Sequence, residues 1–301
     1  MAINAYLIKK WYLMLTNQSV LHVNQNLGRE FVPGKLHGYF NNLTDKVRME
    51  PKLIGNNELP MNHDQSGDVV FPVTIFQYGL GAYDLYLQTG KNAYLNKLLQ
   101  LSEWACGNQE ASGAWNNFGF IYPEARYSAM AQGEGASLLA RAFKETNDER
   151  YLQAAKRAIN FMLIPLEEGG VCSENGDELV LLEYTNQPPV LNGWIFALFG
   201  LYDLSILISD SRYTISLDKT IRTVANWLTK FDNGYWSKYN TNKSLASPFY
   251  HNLHIAQLQA LYLITNNNVF KNYSEKFYKY SQSNVNYYRA FLIKAIQKIL
   301  E

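Results

Sequence analysis

The chain holds only two cysteines, Cys106 and Cys172, at no metal-binding spacing. Neither a disulfide framework nor a zinc site is indicated. No run reaches the roughly 18 consecutive apolar residues of a membrane-spanning helix, so no span is expected. The amino terminus, MAINAYLIKKWYLMLTNQSV, shows no apolar stretch followed by a small-residue cleavage site. A cytoplasmic location is therefore expected. Charge of one sign is also missing: 27 Lys and Arg face 26 Asp and Glu. That balance supplies no global field for nucleic acid or an anionic membrane. Absent too are the serine nucleophile elbow, the phosphate-binding loop, the dinucleotide fingerprint and HExxH. Hydrolases of those types, kinases and dehydrogenases are correspondingly disfavoured.

What the chain has is apolar and aromatic residues. Hydrophobic residues make up 47% and charged ones 18% of 301 residues, which marks a folded protein with a substantial core. Tyrosine is abundant, at 22 residues. Aromatics serve sugar-gripping surfaces, but core packing is the expectation for most of them.

Helical periodicity comes in pairs: 71–88 with 92–106, 128–146 with 148–164, 189–209 with 217–231, and 251–265 with 270–281. A last helix is expected over 287–299. Three of the pairs are followed by a glycine-led stretch, SGAWNN at 112–117, EGGVCSEN at 168–175 and NGYWSKYN at 233–240. Each is expected to be a turn or short strand returning the chain from an outer helix to an inner one. The fold class predicted is mainly α: a toroid-like, incomplete (α/α) barrel of paired helices with short β-hairpins between pairs. Its inner helices would line a cleft, with loops at the rim; an open solenoid is the alternative. Residues 1–60 are the least periodic and are expected to form a wrapping arm. No linker rich in Pro, Gly or Ser divides the chain, so 1–301 is taken as one domain.

Three stretches place polar and aromatic residues where helices begin. In ARYSAMAQGEGASLLARAF, Ser128 suits a helix cap. Gln132 and Glu134 sit inside an apolar helix beside Gly133 and Gly135. Each interior glycine costs about 1 kcal/mol relative to alanine, which implies close approach of a ligand or of another helix. In LVLLEYTNQPPVLNGWIFALFGLYDL, an apolar strand at 179–182 runs into Glu183 and Tyr184, and Asn192 lies in the next helix's first turn. A carboxylate and a phenol there are candidates for proton chemistry; a plain ion pair for Glu183 is the alternative. In LASPFYHNLHIAQLQALYL, Tyr250, His251 and His254 open a buried helix. Two histidines at that spacing can share a metal, but no third ligand lies nearby in sequence, so structural imidazoles are expected.

Together these stretches resemble the C-terminal catalytic domain of the D-glucuronyl C5-epimerases, which turn D-glucuronate into L-iduronate within heparosan-type chains. YSAMAQGEGASLLARAF, EYTNQPPVLNGWIFALFGLYDL, YHNLHIAQL and FPVTIFQYGLGAYDLY each follow a family pattern, in the family's order, over about residues 71–265. Thr185 stands where the family has proline after Glu-Tyr, and the insertion before Tyr-His is shorter. The family's Tyr-x-x-Arg appears as Tyr235 to Lys238, which keeps the charge without the bidentate fork.

The resemblance implies cofactor-independent, metal-free epimerisation of a uronate-containing polysaccharide by removal and return of the C5 proton. It places the catalytic roles on Glu183, Tyr184, Tyr235 and Tyr250. Lys238 and His251 are expected among the substrate-binding residues, Lys238 neutralising the uronate carboxylate and His251 orienting Tyr250, and Arg126, Gln132, Asn192, Tyr78 and Tyr39 are further candidates for the cleft wall. Family members form dimers, so a homodimer is one expected state. The competing expectations are a uronate-polysaccharide lyase or hydrolase on the same architecture, and a glycan-binding relative without activity.

Overall fold

Two kinds of helix alternate along the chain, and their residue patterns say which layer each occupies. The computed structural model describes residues 8, 9, 12, 13, 16, 23, 25–48, 53, 54, 59–64 and 67–300. After a short α1 (Thr44–Arg48) come α2 (Pro72–Thr89), α3 (Asn92–Gly107), α4 (Ala129–Thr146), α5 (Glu149–Met162), α6 (Leu191–Leu207), α7 (Ser211–Trp227), α8 (Pro248–Thr265), α9 (Asn268–Ser281) and α10 (Asn284–Leu300). Helices α2, α4, α6 and α8 are apolar on nearly every face and buried over most of their length. Their partners α3, α5, α7 and α9 bury one stripe and carry Lys, Arg and Glu on the other. A helix apolar all round must be enclosed, whereas an amphipathic one can face water. The former make the inner ring and the latter the outer layer.

Each hairpin packs inner helix on outer helix, and the inner helices contact one another in the order α2, α4, α6, α8. The result is the incomplete α/α barrel that the paired periodicity predicts. The segment 25–48 lies against the inner helices: Phe40 stacks on Phe199 of α6 at 4.0 Å, and the Leu43 carbonyl meets Gly81 of α2. Much of the expected 1–60 arm falls outside the described residues. Two short antiparallel hairpins follow the arm, β1 (Leu53–Ile54) with β2 (Leu59–Pro60), then β3 (Asn62–Asp64) with β4 (Gly67–Val69).

Of the three glycine-led stretches, EGGVCSEN alone enters a ladder, β5 (Cys172–Asn175) against β6 (Glu178–Leu181). NGYWSKYN makes isolated bridges, Asp232 to Ser237 and Lys238 to Leu245, and SGAWNN turns without a strand. The helix expected at 217–231 begins earlier, at Ser211, where Asp210 caps it. The helix expected from His251 begins at Pro248 with Ser247 as its cap. Tyr250 thus lies within its first turn.

The glycines inside α4 are explained by protein packing rather than by a ligand: Gly135 makes room for the Trp115 indole, and Gly133 for another helix. A Cβ on Gly133 would stand 2.5 Å from Ala197 Cα, and one on Gly200 would stand 2.2 Å from the Gly133 carbonyl oxygen. Backbones of α4 and α6 touch there, and no side chain fits between them.

A buried ion pair ties the same two helices near their carboxyl ends. Arg141 Nη1 lies 2.6 Å from Asp203 Oδ2, with both side chains at 2% exposure or less. The guanidinium also donates to the carbonyls of His37, Gly38 and Ser137. Arg141→Met should destabilise the fold by about 3–5 kcal/mol in urea unfolding, because Asp203 would be left charged and buried. Cys106 and Cys172 are both free thiols. Among the described residues no helix is long and apolar enough to cross a membrane.

Candidate active site

The inner helices run in one direction, so their amino-terminal ends share one rim. Glu183 is delivered there by pairing on both sides of Leu182. The Leu182 amide donates to the Val171 carbonyl at 2.9 Å, and its carbonyl accepts from the Ala129 amide at 2.8 Å. That second bond caps α4, a role the sequence assigns to the Ser128 side chain. The Ser128 hydroxyl makes no cap bond.

Beyond Leu182 the chain turns inward, and Glu183 is 6% exposed. Its carboxyl is held against the first turn of α6, where Gly193 leaves the necessary space. A Cβ at position 193 would stand 2.1 Å from Glu183 Oε2 and 2.6 Å from Glu183 Cβ. The whole side chain would have to move, not only its tip. Gly193→Ala is expected to lower turnover at least tenfold and to shift the thermal melt downward, read by paired activity and melting measurements.

The hydroxyls of Tyr184 and Tyr239 face the carboxyl and favour its charged form, while its Oε2 is buried without a hydrogen-bond partner. Tyr239 also lies beside the hydroxyls of Tyr184 and Tyr250, so it stands at the centre of the group. Its ring centroid lies 4.9 Å from that of Tyr250, and Tyr184 stacks on Phe118 at 4.5 Å. Burial pushes the Glu183 carboxyl up to about 7, opposed by the two phenols. Burial followed by the Glu183 charge raises the phenols of Tyr184, Tyr239 and Tyr250 above their ordinary value. The group is therefore a titratable carboxylate among protonated phenols near neutral pH.

A cleft of about 290 Å³ opens over this group, and Tyr122, Tyr184, Tyr239, Tyr250, Lys294 and Lys298 are among its lining residues. The volume is at the small end of ligand sites, which run from about 300 Å³ upward.

Of the residues singled out in the sequence, Glu183, Tyr184 and Tyr250 come together here. Tyr235 does not: its ring packs under the Arg289 guanidinium at 3.9 Å, beside Trp236 and Tyr287. The third tyrosine of the cluster is Tyr239, four residues on. Lys238 belongs to the bridge with Leu245 and is not among the residues lining the cleft. Arg126 is at the surface, over the Tyr127 ring and 3.7 Å from Glu110. Gln132 is buried; in the orientation that satisfies its amide it donates to the Gly113 carbonyl and accepts from the Trp115 amide. Tyr78 is core. Tyr39 lies toward the other end of the ring, stacked on Phe196, with its amide donating to Asp84 near the end of α2. Asn192 is buried beside Gly193, and its main-chain carbonyl accepts from Gln257.

His251 and His254 lie behind the cluster, fully buried. The Ser237 amide donates to His251 Nδ1 at 3.1 Å, so Nε2 carries the proton and donates to the Phe277 carbonyl at 2.9 Å. Ser237 Oγ also meets Nδ1 of His254 at 2.9 Å, and the His251 ring stacks on Trp236 at 3.7 Å. Burial lowers the His251 pKa to about 3, which keeps the ring neutral. Both imidazoles thus clamp the 236–237 loop onto α8, two residues before Tyr239. They hold a phenol in place and do not reach the cleft.

Tyr239, Tyr122, Lys294 and Lys298 line the cleft without standing out in the sequence as site residues. Tyr239 had a signal, being a second tyrosine in NGYWSKYN. The two lysines had none, because lysines four apart on an amphipathic helix read as solvated surface.

This is an α/α-barrel protein whose rim cleft couples one buried carboxylate to three phenols. The model of the D-glucuronyl C5-epimerase C-terminus matches residues 108–279, and the chain belongs to that family. It is 30% identical over 209 residues to the D-glucuronyl C5-epimerase of Caenorhabditis elegans, covering 60% of this chain and 34% of that protein. An uncharacterized protein of Methanocaldococcus jannaschii is 29% identical over 154 residues, 49% of this chain and 50% of its own length. The chain thus spans about a third to a half of these relatives. Among solved structures, the GH76A alpha-1,6-mannanase of Salegentibacter sp. HEL1_6 superposes with TM-score 0.49 at 17% identity, over 71% of this chain and 63% of that one. An unsaturated glucuronyl hydrolase specific for heparin gives 0.47 at 12% identity, over 71% and 60%. At these scores the likeness informs neither activity nor substrate.

Proposed function

We propose that the protein is a C5-epimerase that converts D-glucuronate to L-iduronate residues within a heparosan-like polysaccharide, without a cofactor. The observation that carries this reading is the cluster of Glu183, Tyr184, Tyr239 and Tyr250 beneath the cleft, in a chain of the epimerase family.

C5 lies next to a carboxylate, so removing its proton leaves a carbanion whose charge spreads onto that carboxylate. Inversion needs a base on one face and an acid on the other. Protonated phenols are good acids toward a carbanion. A phenol becomes a base only when its own proton has somewhere to go, and ionised Glu183 supplies that place. Tyr184 and Tyr250 flank C5 in this scheme. One passes its hydroxyl proton toward Glu183 as its oxygen takes the C5 proton. The other gives its proton to the opposite face of C5. Tyr239, which lies beside both and beside Glu183, returns the proton between them so that the next cycle starts from the same state. The reaction is balanced without an oxidant or a metal step.

A hydrolase would place two carboxylates across the scissile bond. The other buried carboxyls among the described residues are away from the cleft lining: Glu134 is hydrogen-bonded to Gln77 at 2.8 Å, Asp203 is paired with Arg141, and Asp84 accepts from the Tyr39 amide. The deciding experiment is incubation with heparosan in deuterium oxide, read at C5 by NMR. Deuterium at C5 together with iduronate signals supports the epimerase. An unsaturated end group would instead mean a lyase, and no exchange by the folded protein would reject proton chemistry on this polymer.

A further inference from the structure

We infer that the loop 116–123 is an aromatic platform for the polysaccharide where it leaves the cleft, on which the neutral pyranose next to the reacting sugar stacks. The inference rests on the epimerase reading for which sugar lies against the tyrosine cluster.

Sites that enclose a drug-sized ligand run from about 300 Å³ upward. The cleft, at about 290 Å³, is smaller, so a polymer bound there must pass out over the rim. Beside Tyr184 that rim is apolar. Phe120 is 45% exposed and Ile121 44%, and Tyr122, next in sequence, lines the cleft. Contiguous exposed apolar surface at the edge of a groove is a mark of ligand binding. The rings form a series. Phe120 meets Phe71, the residue before α2, at 4.6 Å, and Phe71 meets Phe118 at 6.4 Å. Phe118 stacks on Tyr184 at 4.5 Å, and Tyr122 meets Tyr184 edge-on at 6.1 Å. Aromatic surface thus runs from the Tyr184 phenol out to water.

The backbone under these rings is already fixed. The amides of Asn117 and Phe118 both donate to the Arg126 carbonyl at 2.9 Å. The Gly119 amide donates to Asn116 Oδ1 at 2.8 Å, and the amides of Ile121 and Tyr122 donate to the Phe118 carbonyl at 2.8 and 2.7 Å. Asn117 Oδ1 accepts from the Val73 amide at 3.1 Å, which ties the loop to the first turn of α2. Asn186 Nδ2 donates to Glu124 Oε1 at 3.4 Å and joins its far end to the segment that follows Tyr184. A surface held in advance gives up little freedom when a ligand lands on it.

The chemistry of the loop selects the class of sugar. Residues 116–123, NNFGFIYP, carry no charge. The flanking charges are engaged elsewhere, Glu124 with Asn186 and Arg126 over the Tyr127 ring beside Glu110. A pyranose offers C–H groups to an aromatic face and keeps its hydroxyls at the edge, in water, which suits a ring that is half exposed. A sugar acid would find no counter-charge in this loop, whereas a neutral neighbour needs none.

The test is NMR titration with methyl glucuronoside and with a heparosan trisaccharide whose central sugar is the uronate. The wild type should bind the trisaccharide more tightly. Phe120→Ser should cut the ratio of the two affinities by roughly 3- to 10-fold, the worth of one aromatic stacking contact. Phe120→Leu, which keeps an apolar contact with Phe71 but has no ring, should cut it similarly, and Phe120→Trp should retain it. Ile215→Ser, at a 64% exposed site on α7, is the control for a general loss of apolar surface and should leave the ratio as it is. A wild-type ratio near one, an undiminished ratio in Phe120→Leu or in folded Phe120→Ser, or an equal cut by Ile215→Ser overturns the assignment. Binding is read separately from turnover. A wild type that exchanges no deuterium, with a ratio that Phe120→Leu cuts, would sink the epimerase reading and leave the platform standing. Exchange with an uncut ratio would do the reverse.

Discussion

Tyr250→Phe should lose C5 deuterium exchange by at least about 10²-fold, the usual contribution of a positioned acid or base. Its thermal melt should stay close to that of the wild type. The substitution removes one hydroxyl and keeps the ring that packs on Tyr239 at 4.9 Å and Phe249 at 5.0 Å. Loss of exchange with an intact fold separates a chemical role from a packing role. Full exchange by this variant would refute the assignment. Tyr235→Phe is the matched control: its ring lies under Arg289, outside the cluster, and exchange should continue.

Glu183→Gln should remove activity by about 10²- to 10⁴-fold and also remove a pH dependence. The carboxyl must be ionised to receive a proton, and burial holds it at about 7. Wild-type exchange should therefore rise with pH through about 7 and fall away below it. Stability runs the other way. The folded carboxyl binds its proton more tightly than the unfolded one, so its contribution is fully present below the unfolded value near 4.3 and is lost as pH rises through about 7. Glu183→Gln stays neutral throughout. Its melting temperature at pH 8 should equal or exceed that of the wild type, against a large loss of exchange. A variant less stable than the wild type at pH 8 would show that Glu183 is held for structure.

Much of the site was legible because its residues sit in short motifs anchored to regular elements. Glu183 and Tyr184 follow an apolar strand directly, and Tyr250 is in the first turn of a helix. Local pattern sets their positions to within a residue. Tyr239 and Tyr235 lie in a loop, where two tyrosines four residues apart look equivalent. Ser237, the two imidazoles and the bridge to Leu245 decide between them, and those contacts span 7 to 17 residues. The glycines of α4 were legible as sites of close approach, but the approaching partner was not. Ala197 and Gly200, which meet Gly133, lie more than sixty residues away, and Trp115, which meets Gly135, belongs to the preceding loop.

The sequence by itself determined the helix pairs, their inner and outer order, and the presence of a carboxylate–phenol motif at one rim. Those properties follow from hydrophobic period and chain direction, which are local. Only the tertiary structure decided which tyrosine completes the cluster, that the histidines face away from the cleft, and that the cations come from the last helix. These depend on loop conformation and on a helix docking about fifty residues beyond the loop it pins. Nothing in the local pattern of α10 distinguishes Lys294 from a solvated lysine until Ser244 and Tyr239 are brought against it.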